Sequence, residues 1–121
     1  MMVPVTDWDE AKRFYSEVLE LEQSKHYGER PGGEWETGTL TFQIMDPSGF
    51  GMQPAKPTEN PIALHVDDYD GSKKLLEERG VEFIHSMDSG VCHMGFFKDP
   101  FGNTYCLHHR YAPPEARPAG L

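Results

Sequence analysis

The sequence is short of cysteine, short of positive charge and without a long apolar run. Two cysteines in 121 residues are too few for a disulfide framework and point to a reducing, cytoplasmic setting. Lysine and arginine number 11 against 20 acidic residues, a net charge of −9. Such a surface repels phosphate backbones and anionic headgroups, so neither nucleic acid nor a membrane is an expected partner. No stretch nears the roughly 18 apolar residues that a membrane helix needs, and no charged start runs into an apolar core as in a signal peptide. What is present suits one domain with its own core.

Residues 3–6 read as a short strand, after which Thr6 or Asp7 caps a helix. Ala11, Phe14, Tyr15 and Val18 fall at i, i+3, i+4 and i+7, one apolar stripe, with Asp9 and Glu10 in the first turn where the helix dipole favours them. Residues 23–27 form a candidate strand and 30–33 a turn. Residues 35–45 alternate as a single half-buried strand, with Leu40, Phe42 and Ile44 on one face and Thr39, Thr41 and Gln43 on the other. A turn at 46–49 and a short strand at 50–53 complete a first module, 1–54. Residues 55–61 serve as a proline-bearing linker.

The plan then restarts. VTDWDEAKRF from Val5 aligns with VDDYDGSKKL from Val66. A strand–cap–helix unit recurring half a chain later predicts two copies of one module. In the second, 62–111, Ile62, Leu64 and Val66 alternate with Ala63 and His65. Asp68 caps a helix over 69–79 that Gly80 ends, 81–85 is a strand, and 91–98 and 103–111 form a hairpin about Asp99-Pro100-Phe101-Gly102. A Pro- and Ala-rich tail, 112–121, is expected to be loose or to clasp a partner subunit.

Pro4-Val5-Thr6-Asp7, Phe14-Tyr15 and Val18-Leu19-Glu20-Leu21-Glu22, with Val66-Asp67-Asp68, Arg79-Gly80-Val81 and the hairpin Phe97-Lys98-Asp99-Pro100-Phe101-Gly102-Asn103, together resemble the vicinal oxygen chelate superfamily. Its members include glyoxalases, bleomycin-resistance proteins and extradiol dioxygenases. The resemblance implies an α+β fold of two repeated β-α-β-β-β modules whose curved mixed sheets enclose a cavity, and a homodimer. Glu20 stands where the family commonly has glycine. The resemblance also implies one divalent metal held by His, Gln or Glu on the first and last strand of each module. Carried over, the first ligand falls about one residue before Met1, the second at Gln53, or at Gly51 if the register slips by two, the third at Pro61 and the fourth at Cys106. One usable amide, one thiol and two blanks do not compose that centre, so no cofactor is expected, and a divalent metal is the minority alternative.

Strand parity places Ala63, His65, Thr104, Cys106 and His108 on the cavity face. With Pro61 opposite Cys106 on antiparallel neighbours, His65 and His108 fall roughly 20 Å apart, too far to share a metal. A hairpin pairing 94 with 106 makes Cys92 at best a diagonal neighbour of Cys106, and parity leaves open which of Cys92 and His93 faces in. Cys106 and His108 lie about 7 Å apart at Cβ, long for a nucleophile and its base. Trp35, Phe96, Phe101, Tyr27, Met52 and Met94 are candidate apolar lining.

Two functions follow. One is a binding protein that holds a small, neutral or cationic organic molecule without the family metal, at Gln53, Ala63, His65, Thr104, Cys106 and His108. The other is a lyase, isomerase or dioxygenase of the glyoxalase type with a non-standard metal centre at Gln53 and Cys106, helped by His108 or His93.

Overall fold

The computed structural model describes residues 1–113, so most of the expected tail lies outside the described residues. In the first module β1 (Met2–Pro4) leads into α1 (Trp8–Arg13). Asp7, in an extended conformation, caps α1 by accepting the Glu10 N–H at 3.2 Å. The helix then widens over Phe14–Val18, where the Leu19 N–H bonds five residues back to the Phe14 carbonyl at 2.9 Å. The expected stripe of Ala11, Phe14, Tyr15 and Val18 is buried. Strands β2 (Glu22–His26), β3 (Gly32–Glu36) and β4 (Thr41–Met45) follow, in sheet order β1-β4-β3-β2 with β1 parallel to β4.

The second module repeats this order. β5 (Ile62–His65), α2 (Tyr69–Glu78), β6 (Phe83–Asp88), β7 (Cys92–Lys98) and β8 (Thr104–Arg110) give the sheet β5-β8-β7-β6, with β5 parallel to β8. Asp68 caps α2 through the Gly71 N–H at 3.0 Å, and Gly80 closes it at φ +91°. The α+β fold of two β-α-β-β-β modules is therefore present, and the two mixed sheets remain separate.

The helix-bearing sides of both sheets share one core. Trp35 and Phe42 from the first sheet meet Phe97, Tyr105 and Leu107 from the second around Tyr15. Trp35, an expected cavity residue, is fully buried in this core, its indole N–H held by the Ser16 hydroxyl at 2.9 Å. Strand parity turns its ring toward the helix, away from the open face.

The Asp99-Pro100-Phe101-Gly102-Asn103 turn does more than reverse the chain. The buried Asp99 carboxylate accepts from the Tyr15 hydroxyl at 2.6 Å, the Phe101 and Asn103 N–H groups and the Asn103 amide. The same Asn103 amide donates to the Pro4 carbonyl at 2.8 Å, and Tyr15 and Tyr105 hydroxyls meet at 2.6 Å. The turn thus fastens the second module to β1 and to the widened turn that follows α1 in the first. Burial, then Tyr105 and Asp99, push the Tyr15 phenol well above its ordinary pKa, and burial chiefly does the same for Tyr105.

Three local expectations change. The alternating run 35–45 is two strands, broken where Thr37 Oγ1 and N–H close on Leu40 and Gly38 takes φ +97°; Leu40 sits in that turn, exposed. Residues 50–53 are not a strand: Asp46 caps a 3₁₀ turn, Pro47–Phe50, that Gly51 ends at φ +72°. The second strand of module two begins at Phe83, two residues later than expected, and runs to Asp88, because the Gly80 and Val81 N–H groups still close the end of α2.

Candidate ligand site on the second sheet

Side chains that pair across neighbouring strands share a face. On β5, β8, β7 and β6 this builds two rows on the side away from the helices. One is His65, His108, Met94 and Met87; the other is Ala63, Cys106, Phe96 and His85. Thr104 pairs with Lys98 beyond the second row, and its N–H donates to the Thr58 carbonyl at 2.8 Å. Ala63, His65, His85 and Met87 are exposed, His108, Phe96, Met94 and Thr104 half-buried, and Cys106 only 5% exposed. The His85 ring stacks on Phe96 with centroids 6.1 Å apart.

The structure therefore unites five of the six expected site residues. It leaves out Gln53, which is exposed in irregular chain after the 3₁₀ turn. It also overturns the expected spacing. Because β5 and β8 are parallel, with Ala63 beside Cys106, His65 lies beside His108 and their Nδ1 atoms are 3.2 Å apart. The 20 Å separation assumed antiparallel strands. The hairpin pairs Phe96 with Cys106 and Met94 with His108, a slip of two from the expected register. Cys92 then pairs with Arg110, four residues along β8 from Cys106, and both thiols are free. Cys92 shares the open face, while His93 turns to the helix side, 5.4 Å from the Tyr69 ring. His109 also faces that side and meets the Val66 carbonyl at 2.9 Å.

His85 and Met87 were missed. A bulge between Phe83 and His85 shifts the phase of β6, which simple alternation does not reveal; the alternation of His85 with Met87 was the available signal. Of the other expected lining residues, Phe101 packs against the core, Met52 is exposed outside any strand, and Tyr27 belongs to the first module's face.

Burial raises the Cys106 thiol above its ordinary pKa, partly offset by the Gly95 backbone, so the sulfur is the less reactive thiol form at neutral pH. The thiol donates to the Leu107 carbonyl at 3.7 Å, which supplies no base. His108 is held below its ordinary pKa by burial first, then by His65, His109 and Arg110.

The family's metal does not fit its inherited positions. Pro61 offers no donor, Gln53 is off the sheet, Cys106 is a buried thiol, and among the described residues no three His, Cys, Asp or Glu side chains converge.

The equivalent face of the first sheet is already self-satisfied. Tyr27 donates to Glu34 at 2.6 Å and accepts from the Gln43 amide at 3.0 Å. Glu36 accepts from the Ser24 and Thr41 hydroxyls, which hold its carboxyl below the usual range. Clefts are present as well. One of about 530 Å³ runs past Arg13, Arg79 and Lys98, but Arg13 is paired with Glu10, and Arg79 with the Val18 carbonyl and Glu20. A second, of about 370 Å³, reaches Ala63 and His65 from the α2 side.

Two β-α-β-β-β modules, each with a parallel first–last strand pair and an open sheet face, define a paired-module protein. The chain belongs to the glyoxalase/bleomycin resistance protein/dioxygenase superfamily, whose family model matches residues 1–107. No curated protein matches it in sequence. Among solved structures it is similar to a lactoylglutathione lyase from Agrobacterium tumefaciens, with 18% identity, 90% of each chain covered and a TM-score of 0.75; that likeness shows the fold alone. It is also similar to a superfamily member from Sphaerobacter thermophilus DSM 20745, with 26% identity, TM-score 0.73 and coverage of 91% of this chain and 94% of that one. TnmS3, an antibiotic binding protein from Streptomyces sp. CB03234, shares 25% identity over 91% of this chain and 92% of its own, with a TM-score of 0.73.

Proposed function

We propose that this chain binds a small organic molecule on the open face of its second sheet, without the superfamily's usual metal centre, in a cavity that a second copy completes. One observation carries the reading. The positions that would hold the metal are a proline, a buried thiol and a glutamine off the sheet, while around them Ala63, Phe96, Met94, Cys106, His65 and His108 make an apolar, aromatic face with two imidazoles at one end. Such a face offers stacking and a few oriented polar atoms, the usual composition of a small-molecule site. The antibiotic-binding neighbour supports the same class of ligand. The net charge of −9 favours a neutral or cationic one.

The test is a thermal-shift screen of aromatic antibiotics against the full chain in excess chelator, with the oligomeric state followed by light scattering. The expected result is a dimer stabilised by at least one compound, with the shift abolished in Ala63→Arg. A family-type enzyme would instead lose its ligand response in chelator and regain it with a divalent metal, and that result contradicts the reading.

A further inference from the structure

We infer that the His65–His108 pair, with Met94 beside it, is a binding site for a soft or borderline metal ion, Cu(I) first, at a place in the sheet other than the family's ligand positions. The two imidazoles come from neighbouring parallel strands in direct register, and their Nδ1 atoms lie 3.2 Å apart. Two nitrogens bound to one tetrahedral ion at about 2.0–2.1 Å lie about 3.3 Å from each other, so the pair already has the spacing of two ligands on one metal. The rings are tilted 39° to each other with centroids 5.1 Å apart, and the contact between them lies on the open face.

The third donor follows from the register. Met94 is the cross-strand partner of His108, on the same face, and Met87 is the partner of Met94 in turn. Cross-strand partners on one face have Cβ atoms about 4.5–5.5 Å apart, within the reach of a flexible thioether. An imidazole pair with a thioether is a donor set that selects copper over hard cations such as magnesium or calcium. Without a metal, the 3.2 Å contact accommodates one shared proton: with none the two lone pairs oppose each other, and with two the N–H groups collide. A cation satisfies both nitrogens at once, and the chain's acidity attracts it. The site needs only β5, β7 and β8 of one chain and does not rest on the organic ligand proposed above.

The experiment titrates the full, tag-free chain with Cu(I) against a chromophoric chelator under anaerobic conditions, and separately with Zn(II). One Cu(I) per chain is expected. His65→Ala and His108→Ala should each weaken it by at least about tenfold, the scale on which a metal site responds to losing part of its shell. His65→Gln, which keeps a polar exposed side chain, should do the same while melting as the wild type does. Met94→Leu should weaken Cu(I) binding and leave Zn(II) binding unchanged. Histidine ¹⁵N spectra on Zn(II) addition should show ligation at the Nδ1 atoms of residues 65 and 108. Uptake that is equal in wild type and the His65→Ala, His108→Ala double variant overturns the inference. So do spectral changes confined to His26, His85 or the N-terminal amine.

Discussion

The two modules have the same strand order and opposite surface chemistry. On the open face of the first sheet, Glu34, Tyr27 and Gln43, and Glu36, Ser24 and Thr41, satisfy one another. On the second, His65, His108, Met94, Cys106 and Phe96 have few partners within the chain. A duplicated fold thus carries one face that is closed on itself and one whose donors and rings are available, which is why the ligand reading falls on module two. The modules also differ at their helix ends. From cap to left-handed residue, module one runs from Asp7 to Glu20 and module two from Asp68 to Gly80, so module one has one residue more, taken up by the widened turn at Phe14–Val18.

The largest expected effect is at the fastening between the modules. Asp99→Ala removes an acceptor of four hydrogen bonds, leaving buried donors unpaired, and should cost about 3 kcal/mol or more in urea unfolding. The corresponding β3–β4 turn of module one is exposed and closes on itself through Thr37 and Leu40, so Thr37→Ala should cost about 1 kcal/mol or less by the same measurement. Equal losses would mean that the two hairpin turns play the same part.

The Tyr15–Tyr105 contact makes a pH prediction. Both phenols have pKa values raised in the fold, by burial first, so folding favours their neutral forms. Their contribution is present in full below about pH 10, where a free tyrosine titrates, and is lost as pH rises above it. Urea midpoints measured from pH 8 to 11 should fall above pH 10 in the wild type and fall less in Tyr15→Phe. An identical decline in both would show that the pair does not couple to folding.

The smallest effects lie at the helix ends. Glu20 holds φ +55° without being glycine, a conformation unfavourable to a side chain by about 1 kcal/mol. Glu20→Gly should therefore stabilise the chain slightly, by up to about 1 kcal/mol, since the exposed Glu20–Arg79 contact at 3.3 Å contributes little. Gly80→Ala, at φ +91°, should destabilise by about 1 kcal/mol or more. Thermal melts of both variants check the pair; shifts of the same sign would contradict the difference between the modules.

Much of the fold was legible. The Ala11, Phe14, Tyr15, Val18 stripe, the Asp7 and Asp68 caps, and the Asp99–Asn103 turn are local patterns, and each has one physical solution. The departure from the family's ligand set was legible too, at Pro61 and Cys106. What failed were relations between strands distant in sequence. Alternation assigns a face but not a direction, so it does not tell a parallel β5–β8 pair from an antiparallel one, and that choice decides whether His65 lies beside His108. The same limit put Trp35 in the cavity, because the turn at Thr37–Leu40 that separates β3 from β4 is built from a single hydroxyl and one glycine, a weak signal inside an alternating run.

The most direct test of the account is to map, by hydrogen exchange on the full chain, where a compound from the stabilising set binds. The account predicts added protection in β5, β7 and β8, centred on residues 63–65, 94–96 and 104–108. Protection confined to the first sheet, or to the cleft past Arg13 and Arg79, would contradict it.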